Sequence, residues 1–253
     1  MSTQATYSDL TMRIVTALGL VTLVAVAMAL GDMGVLVLMS VFSSIILWEV
    51  ATMVRVPAPL IWSAVFGAVV FMSGVMEFPL AAWAALVLGA VAAVRFSSVL
   101  SVCLLAIGLT VYTYATALRS DPMVFLWIVT TVVATDIGGY FCGRFIGGPK
   151  VAPKLSPKKT WAGVIGGWGA AIAVSMLFSL PIMSLGQVAI ATLIVSVFSQ
   201  VGDFSQSALK RRYGVKDSSS LLPGHGGYFD RCDGLIGAGV VASPIVYLFA
   251  SVA

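Results

Sequence analysis

The chain has 253 residues, 60% of them hydrophobic and only 9% charged, with a formal net charge of +4 and a mean hydropathy of +1.05. Soluble domains carry about 45–50% apolar and about 25% charged residues, so the composition excludes an ordinary soluble domain, and no nucleic-acid partner is expected. Cys103, Cys142 and Cys232 are scattered and lack the spacing of a disulfide framework or a zinc site, which leaves them as small apolar packers.

Apolar runs of about 18 or more residues are long enough to cross a bilayer core of about 30 Å. In lipid each backbone N–H and C=O must pair within its own segment, so these runs predict an all-α, polytopic helical membrane protein. About nine spans are expected, near Met12–Leu30, Gly34–Met53, Ala58–Met76, Phe78–Val94, Phe96–Leu118, Pro122–Phe145, Trp161–Met183, Leu185–Leu209 and Gly234–Val252. Arg13, the apolar run after it and Ala27-Met28-Ala29 also resemble a signal peptide with a small-residue cleavage site. The second span contains Glu49, which should turn toward protein or headgroups rather than lipid. Near Thr135 the composition shifts from plain spans to Gly-rich turns and clustered charge. The expected division is therefore residues 1–120, N-terminal spans, and 121–253, a region with a polar site.

Sidedness follows from the loops. Under nine spans, Arg55, Arg95, Arg144, Lys150, Lys154, Lys158, Lys159, Lys210, Arg211, Arg212, Lys216 and Arg231 share one face, against Arg13 and Arg119 on the other. Basic residues concentrate on the cytoplasmic side, so the polar loops should face the cytoplasm, as in a bacterial inner-membrane protein.

Two stretches carry chemistry. The first starts at Asp136, a carboxylate at membrane depth, which marks a functional site by default. It runs through a Gly-rich turn into Ser156-Pro157-Lys158-Lys159-Thr160-Trp161. Lysines beside hydroxyls hold phosphate oxygens as point charges, and Thr160 can cap the helix after it, whose N-terminus attracts an anion. Alone, such a basic loop also fits positive-inside anchoring or contact with anionic headgroups.

The second stretch holds Asp203, then Ser207-Ala208-Leu209-Lys210-Arg211, Lys216-Asp217, Pro223-Gly224-His225-Gly226-Gly227 and Asp230-Arg231-Cys232-Asp233. Asp230 and Asp233 share a face if the segment is helical. Hard carboxylate oxygens without clustered His or Cys suit Mg²⁺, which keeps waters and bridges substrate phosphates. The Pro-Gly-His-Gly-Gly turn can expose backbone N–H groups as an anion nest.

Ser207 through Asp233 resembles the signature of the phosphatidate cytidylyltransferases, also called CDP-diacylglycerol synthases. The Asp136 stretch and Ser156 to Trp161 resemble that family's other motif, so the likeness covers roughly Thr135 to the C-terminus. Three positions depart from the pattern. Ala162 stands where a Glu is usual, and Tyr228 and Cys232 stand where aliphatic or Phe residues are common.

The resemblance implies transfer of the cytidylyl group of CTP to phosphatidate, giving CDP-diacylglycerol and pyrophosphate, with Mg²⁺ and a second cation as cofactors. It implies Asp203 and Asp230 as main metal ligands, with Asp136 and Asp233 close by. Lys210, Arg211, Lys216 and Arg231 would bind phosphates, and Ser156, Lys158, Lys159 and Thr160 would line the same pocket. Asp217, Ser207, His225, Gly226 and Gly227 belong to the same constellation, with His225 bonding a phosphate or orienting a carboxylate. A homodimer is also implied. Beside this stand a transporter or channel, suggested by Asp136 and the Gly-broken helices, and a catalytically impaired paralogue, suggested by Ala162.

Overall fold

The computed structural model describes residues 15, 18–19, 22–76, 79–153, 155–222 and 226–252. In chain order these form α1 (residues 22–29), α2 (Gly31–Met53), α3 (Pro59–Met76), α4 (Pro79–Val94), α5 (Ser98–Ser120) and α6 (Pro122–Phe145). Strands β1 (Lys150–Ala152) and β2 (Ser156–Thr160) follow, then α7 (Trp161–Ser175), α8 (Leu185–Arg212) and α9 (Phe229–Val252). Among the described residues five helices, α2, α5, α6, α8 and α9, are long and apolar enough to cross a membrane. Large apolar side chains such as Leu88, Val102, Ile190 and Leu248 point outward from their helices. The chain is a helical integral membrane protein.

Several elements differ from the sequence expectation. Five described helices, against nine expected spans, have the length and hydropathy to cross; the apolar stretches Pro59–Val75, Trp83–Val94 and Trp161–Ser175 are shorter. Helix α7 stops at Ser175 after 15 residues, about 22 Å at 1.5 Å per residue, and does not reach Met183. The chain there turns irregular toward Pro181, and a residue before proline is pushed out of the helical region. Helix α9 starts at Phe229 rather than Gly234, and α8 runs on to Arg212. The expected first span, Met12–Leu30, lies partly outside the described residues.

The helical expectation holds, with one addition at the basic loop, which is a two-stranded antiparallel hairpin pairing Lys150 with Thr160 and Ala152 with Ser156. Gly147 and Gly148 have φ of 69° and 98°, which a glycine adopts without steric cost, and they turn the chain out of α6. Pro149, Pro153 and Pro157 then deny a helix its N–H groups.

The described residues divide into two compact units. One comprises the chain up to Gly108 together with Tyr213–Arg231; the other comprises Leu109–Arg212 and the residues from Cys232 on. In the first unit α2 packs on α3 and α3 on α4, around Leu47, Val50, Ala51, Ala93 and Leu100. The Ser101 hydroxyl ties α5 to α4 by donating to the Ala90 carbonyl at 2.8 Å.

In the second unit α6, α7 and α8 pack on one another through small residues, as helices in lipid commonly do. A Cβ added at Gly163 would lie 2.7 Å from the Gly139 carbonyl oxygen, and one at Gly167 2.7 Å from that of Thr135. Helices α8 and α9 meet in the same way: a Cβ at Gly237 would lie 2.2 Å from the Phe198 carbonyl oxygen. Polar side chains pin the packing. The Trp127 indole donates to Thr192 Oγ1 at 2.9 Å, and the Thr135 and Ser196 hydroxyls are 2.6 Å apart. The Tyr114 hydroxyl donates to the Leu235 carbonyl at 2.8 Å. Pro244 sits inside α9 and removes the amide that would bond Val240; the Ser243 hydroxyl donates to that carbonyl instead, at 2.9 Å.

These contacts set a stability test. Gly237→Ala forces a methyl against backbone and should lower stability by about 1–3 kcal/mol, read as a fall in the unfolding midpoint of detergent-purified protein. Gly169→Ala, where a Cβ meets nothing within 4 Å, should leave the midpoint unchanged or raise it, because alanine is the better helix former.

Candidate active site

The close approach of α6, α7 and α8 leaves a cleft of about 400 Å³ in the second unit. Carboxylates come from two of its walls and ammonium groups from the third. Helix α6 brings Thr135 and Asp136, the hairpin brings Lys158, Lys159 and Thr160, and α8 brings Gln200, Asp203 and Phe204. Asp136 is exposed and Thr135 buried, so the carboxylate faces the opening.

The hairpin explains how two adjacent lysines are separated. Successive side chains of a strand point to opposite faces, and Lys158 is exposed while Lys159 is half-buried. The Lys159 ammonium donates to Asp203 Oδ2 and lies 4.4 Å from the centre of the Phe204 ring, so both a carboxylate and a π face hold it. Thr160 ends the strand in an extended conformation, and its Oγ1 accepts from the Gly163 amide at 3.2 Å. The expected cap on α7 is therefore formed.

Other groups fix the walls. Gln200 accepts from the Trp168 indole at 3.0 Å and donates to the Val164 carbonyl at 3.3 Å. Arg144 donates to the Tyr140 hydroxyl and sits over its ring. Ser207 makes a long 3.5 Å bond to Asp203 Oδ1. Asp233 accepts from the Gly234 amide at 2.8 Å and lies within electrostatic reach of Asp203, Asp136 and Lys159.

The first unit holds a second polar cluster. Asp230 Oδ2 accepts from the Ser218 amide at 2.8 Å, the Ser218 hydroxyl at 3.0 Å and the Gly227 amide at 3.0 Å. Leu222 and Gly226 exchange backbone hydrogen bonds of 2.8 and 3.1 Å. Gly226 has φ of 82°, and a Cβ there would also come within 2.8 Å of Asp230 Oδ2. Glu49, in α2, is fully buried and faces the same segment, as the sequence led one to expect of a carboxylate inside a span. Its oxygens accept from the hydroxyls of Ser218 and Ser219 and from the amides of Tyr228 and Phe229.

The residues expected from sequence are thus distributed. Asp136, Lys158, Lys159, Thr160 and Asp203 share the cleft of the second unit. Lys210 and Arg211 lie in the last turn of α8. Ser156 opens β2 opposite Ala152 and is not among the cleft-lining residues. Lys216, Asp217 and Arg231, in the first unit, are exposed. Pro223, Gly224, His225 and Lys154 lie outside the described residues; of the expected anion nest only Gly226 and Gly227 are described, and their amides donate to the Leu222 carbonyl and to Asp230. Among the described residues no three His, Cys, Asp or Glu side chains converge tightly enough to ligate one ion.

Sequence reasoning missed Gln200, Phe204, Tyr140 and the partners of Glu49. Gln200, a polar amide in a largely apolar stretch of α8 one turn before Asp203, is the signal that could have found its part of the cleft wall. Ala162 is half-buried in the first turn of α7.

The sequence profile of the cytidylyltransferase family matches residues 11–251. A phosphatidate cytidylyltransferase of Brucella suis biovar 1 is 48% identical over 132 residues, covering 51% of this chain and 47% of that protein. One of Bacillus subtilis is 45% identical over 107 residues, 41% of this chain and 39% of that protein. One of Haemophilus influenzae is 42% identical over 123 residues, 45% and 42% of the two chains. The chain thus matches about half the length of these relatives, or less.

The Thr160 cap gives a test. Thr160→Val removes the acceptor for the Gly163 amide and should cost about 1 kcal/mol, seen as a lowered unfolding midpoint, whereas Thr160→Ser keeps the oxygen and should stay close to the unchanged protein.

Proposed function

The chain belongs to the cytidylyltransferase family, and on that premise we propose that it transfers the cytidylyl group of CTP to phosphatidate, releasing pyrophosphate. The observation that carries the proposal is the charged cleft beside the Lys159–Asp203 pair, set into a bundle of membrane-length apolar helices. One substrate is a lipid and the other a water-soluble polyanion, so a cationic cleft in such a bundle suits both. The relatives that bear the same reaction in their names support it.

In the proposed reaction a phosphate oxygen of phosphatidate attacks the α-phosphorus of CTP in line. A new P–O bond forms as the bond from the α-phosphorus to the bridging oxygen of the β-phosphate breaks, and pyrophosphate carries away the charge. Such transfers depend on positioning and charge neutralisation more than on covalent help from the protein. Lys158 and Lys159 supply cationic donors on a paired strand. Lys210, Arg211, Lys216 and Arg231 are proposed to bind the other phosphate oxygens, with Ser156, Ser207, Asp217, His225, Gly226 and Gly227 completing the constellation.

Magnesium fits the donor set. Asp136 and Asp203 offer hard carboxylate oxygens to one cleft, and the Lys159 ammonium on Asp203 marks a position that accepts a cation. The proposal takes Asp203 and Asp136 as Mg²⁺ ligands with Asp233 close by. When bound, Mg²⁺ would neutralise phosphate charge; the same role extends to the second cation. Asp230 is proposed as a ligand from its motif, and its Oδ2 also holds the Ser218 and Gly227 amides.

The reading further takes the shorter apolar helices as spans, giving about nine, in a bacterial inner membrane with the polar loops in the cytoplasm and the protein as a homodimer. The basic-residue asymmetry supports that orientation.

Purified protein in mixed micelles, given labelled CTP, phosphatidate and Mg²⁺, should convert label into a lipid-extractable product. No CTP-dependent lipid product under these conditions would overturn the reading and favour the transporter or impaired-paralogue alternatives. Asp203→Asn should lower that turnover by about 10²-fold or more, as expected for loss of a metal ligand that stabilises transition-state charge, while insertion into the membrane is unaffected. Sidedness is read with Ser220→Cys, at an exposed position, in a background lacking Cys103, Cys142 and Cys232. The thiol should react with an impermeant maleimide only after the cytoplasmic face is opened; labelling of intact cells would reverse the topology.

A further inference from the structure

Glu49 is a carboxylate with no accessible surface, near the end of the apolar helix α2. Such a group is expensive in a membrane protein unless it is fully partnered. Its partners are four neutral donors, all from one distant segment. Oε1 accepts from the Ser219 hydroxyl at 2.5 Å and the Tyr228 amide at 3.0 Å. Oε2 accepts from the Ser218 hydroxyl at 3.1 Å and the Phe229 amide at 2.7 Å.

The arrangement of the donors matters. Tyr228 and Phe229 stand at the start of α9, where helical amides lack intrahelical acceptors; Glu49 supplies an internal anion at that terminus. Ser218 and Ser219 lie some ten residues earlier, just after Lys216-Asp217. One carboxylate therefore ties Ser218 and Ser219 to Tyr228 and Phe229, which directly follow Gly226 and Gly227. The Phe42 ring of α2 reinforces the contact, 5.2 Å from that of Tyr228. A Cβ at Gly227 would fall 2.5 Å from Glu49 Oε1 and 2.1 Å from Ser218 Oγ, so the second glycine of the Gly-Gly pair is the residue that makes room for the carboxylate.

We propose that Glu49 is a positioning residue for the reaction: it fixes residues 216–222 and 226–231 of the signature segment in their working conformation. This rests on the reading given under Proposed function. An amide cannot substitute. Whichever way a glutamine is turned, its NH₂ replaces one carboxylate oxygen. Turned one way it faces the Tyr228 amide, and turned the other it faces the Phe229 amide, and a backbone N–H cannot accept. The hydroxyls can rotate to accept, but one helix-terminal amide loses its acceptor in either case. Aspartate keeps both oxygens and withdraws them by one methylene.

The test compares Glu49→Gln, Glu49→Asp and the unchanged full-length protein, purified in detergent, with two readouts. In the CTP and phosphatidate assay, Glu49→Gln should lose about 10²-fold in kcat/KM, the scale expected when a reacting group is misplaced by about 1 Å, and Glu49→Asp should recover most of it. In limited trypsin digestion, cleavage after Lys216 should rise about tenfold in Glu49→Gln, as local opening becomes easier, while cleavage elsewhere and the unfolding midpoint change little. Should Glu49→Gln fail to fold, Ser219→Ala, which leaves the carboxylate and two amides in place, should show about tenfold faster cleavage after Lys216. Unchanged kcat/KM with unchanged cleavage in Glu49→Gln overturns the proposal. So does an activity loss matched by faster cleavage throughout the chain, which would make Glu49 a general stability residue. A wild type that makes no lipid product overturns the proposed reaction alone, and the trypsin result still decides whether Glu49 holds the segment.

Discussion

A carboxylate inside an apolar helix bundle must be satisfied by what the protein itself provides, because hydrocarbon offers it nothing. Each unit meets that constraint differently. In the second unit Asp203 takes a cation, the Lys159 ammonium, which Phe204 also holds. In the first unit Glu49 takes no cation among its described partners and is surrounded by neutral donors. The difference fits exposure. The Lys159–Asp203 pair is partly open to solvent and can exchange partners at modest cost. Glu49 is sealed, and a sealed, fully bonded carboxylate is a fixed part of the architecture.

The way the helices approach one another sets the second layer of the design. Where α6 meets α7 and α8 meets α9, the contact surface is backbone against backbone, made possible by Gly163, Gly167 and Gly237. Helix-to-helix distances are then set by main-chain atoms, which have no rotamers to redistribute. Asp136, Thr160 and Asp203 sit directly on these helices or at their ends, so the width of the cleft inherits that rigidity. The hairpin adds to it by mounting Lys158 and Lys159 on paired strands rather than on a free loop.

Much of this was legible in the sequence for identifiable reasons. The apolar runs announced the helices because a membrane span needs length and hydropathy together, and α2, α6 and α8 fall close to their expected bounds. Thr160 as a helix cap was readable because capping is local. The hairpin was not: three prolines and two glycines between α6 and α7 signal a break, but the pairing of Lys150 with Thr160 depends on where the chain returns. The end of α7 at Ser175 was hidden because its continuation is as apolar as the helix itself. The bonds of Glu49 were out of reach, since its partners lie about 170 to 180 residues away in the chain and nothing at position 49 names them. A glutamate in an apolar run said only that a partner must exist.

The Gly227 contact with Glu49 has a consequence for how the sequence can drift. Position 227 has room for a side chain only if the acid at 49 shortens or moves, and position 49 can lose its charge only if the amides of Tyr228 and Phe229 find another acceptor. Neither residue is free to vary alone. Across descendants of this chain the two positions should change together or not at all, although one lies in a plain apolar helix with no motif of its own.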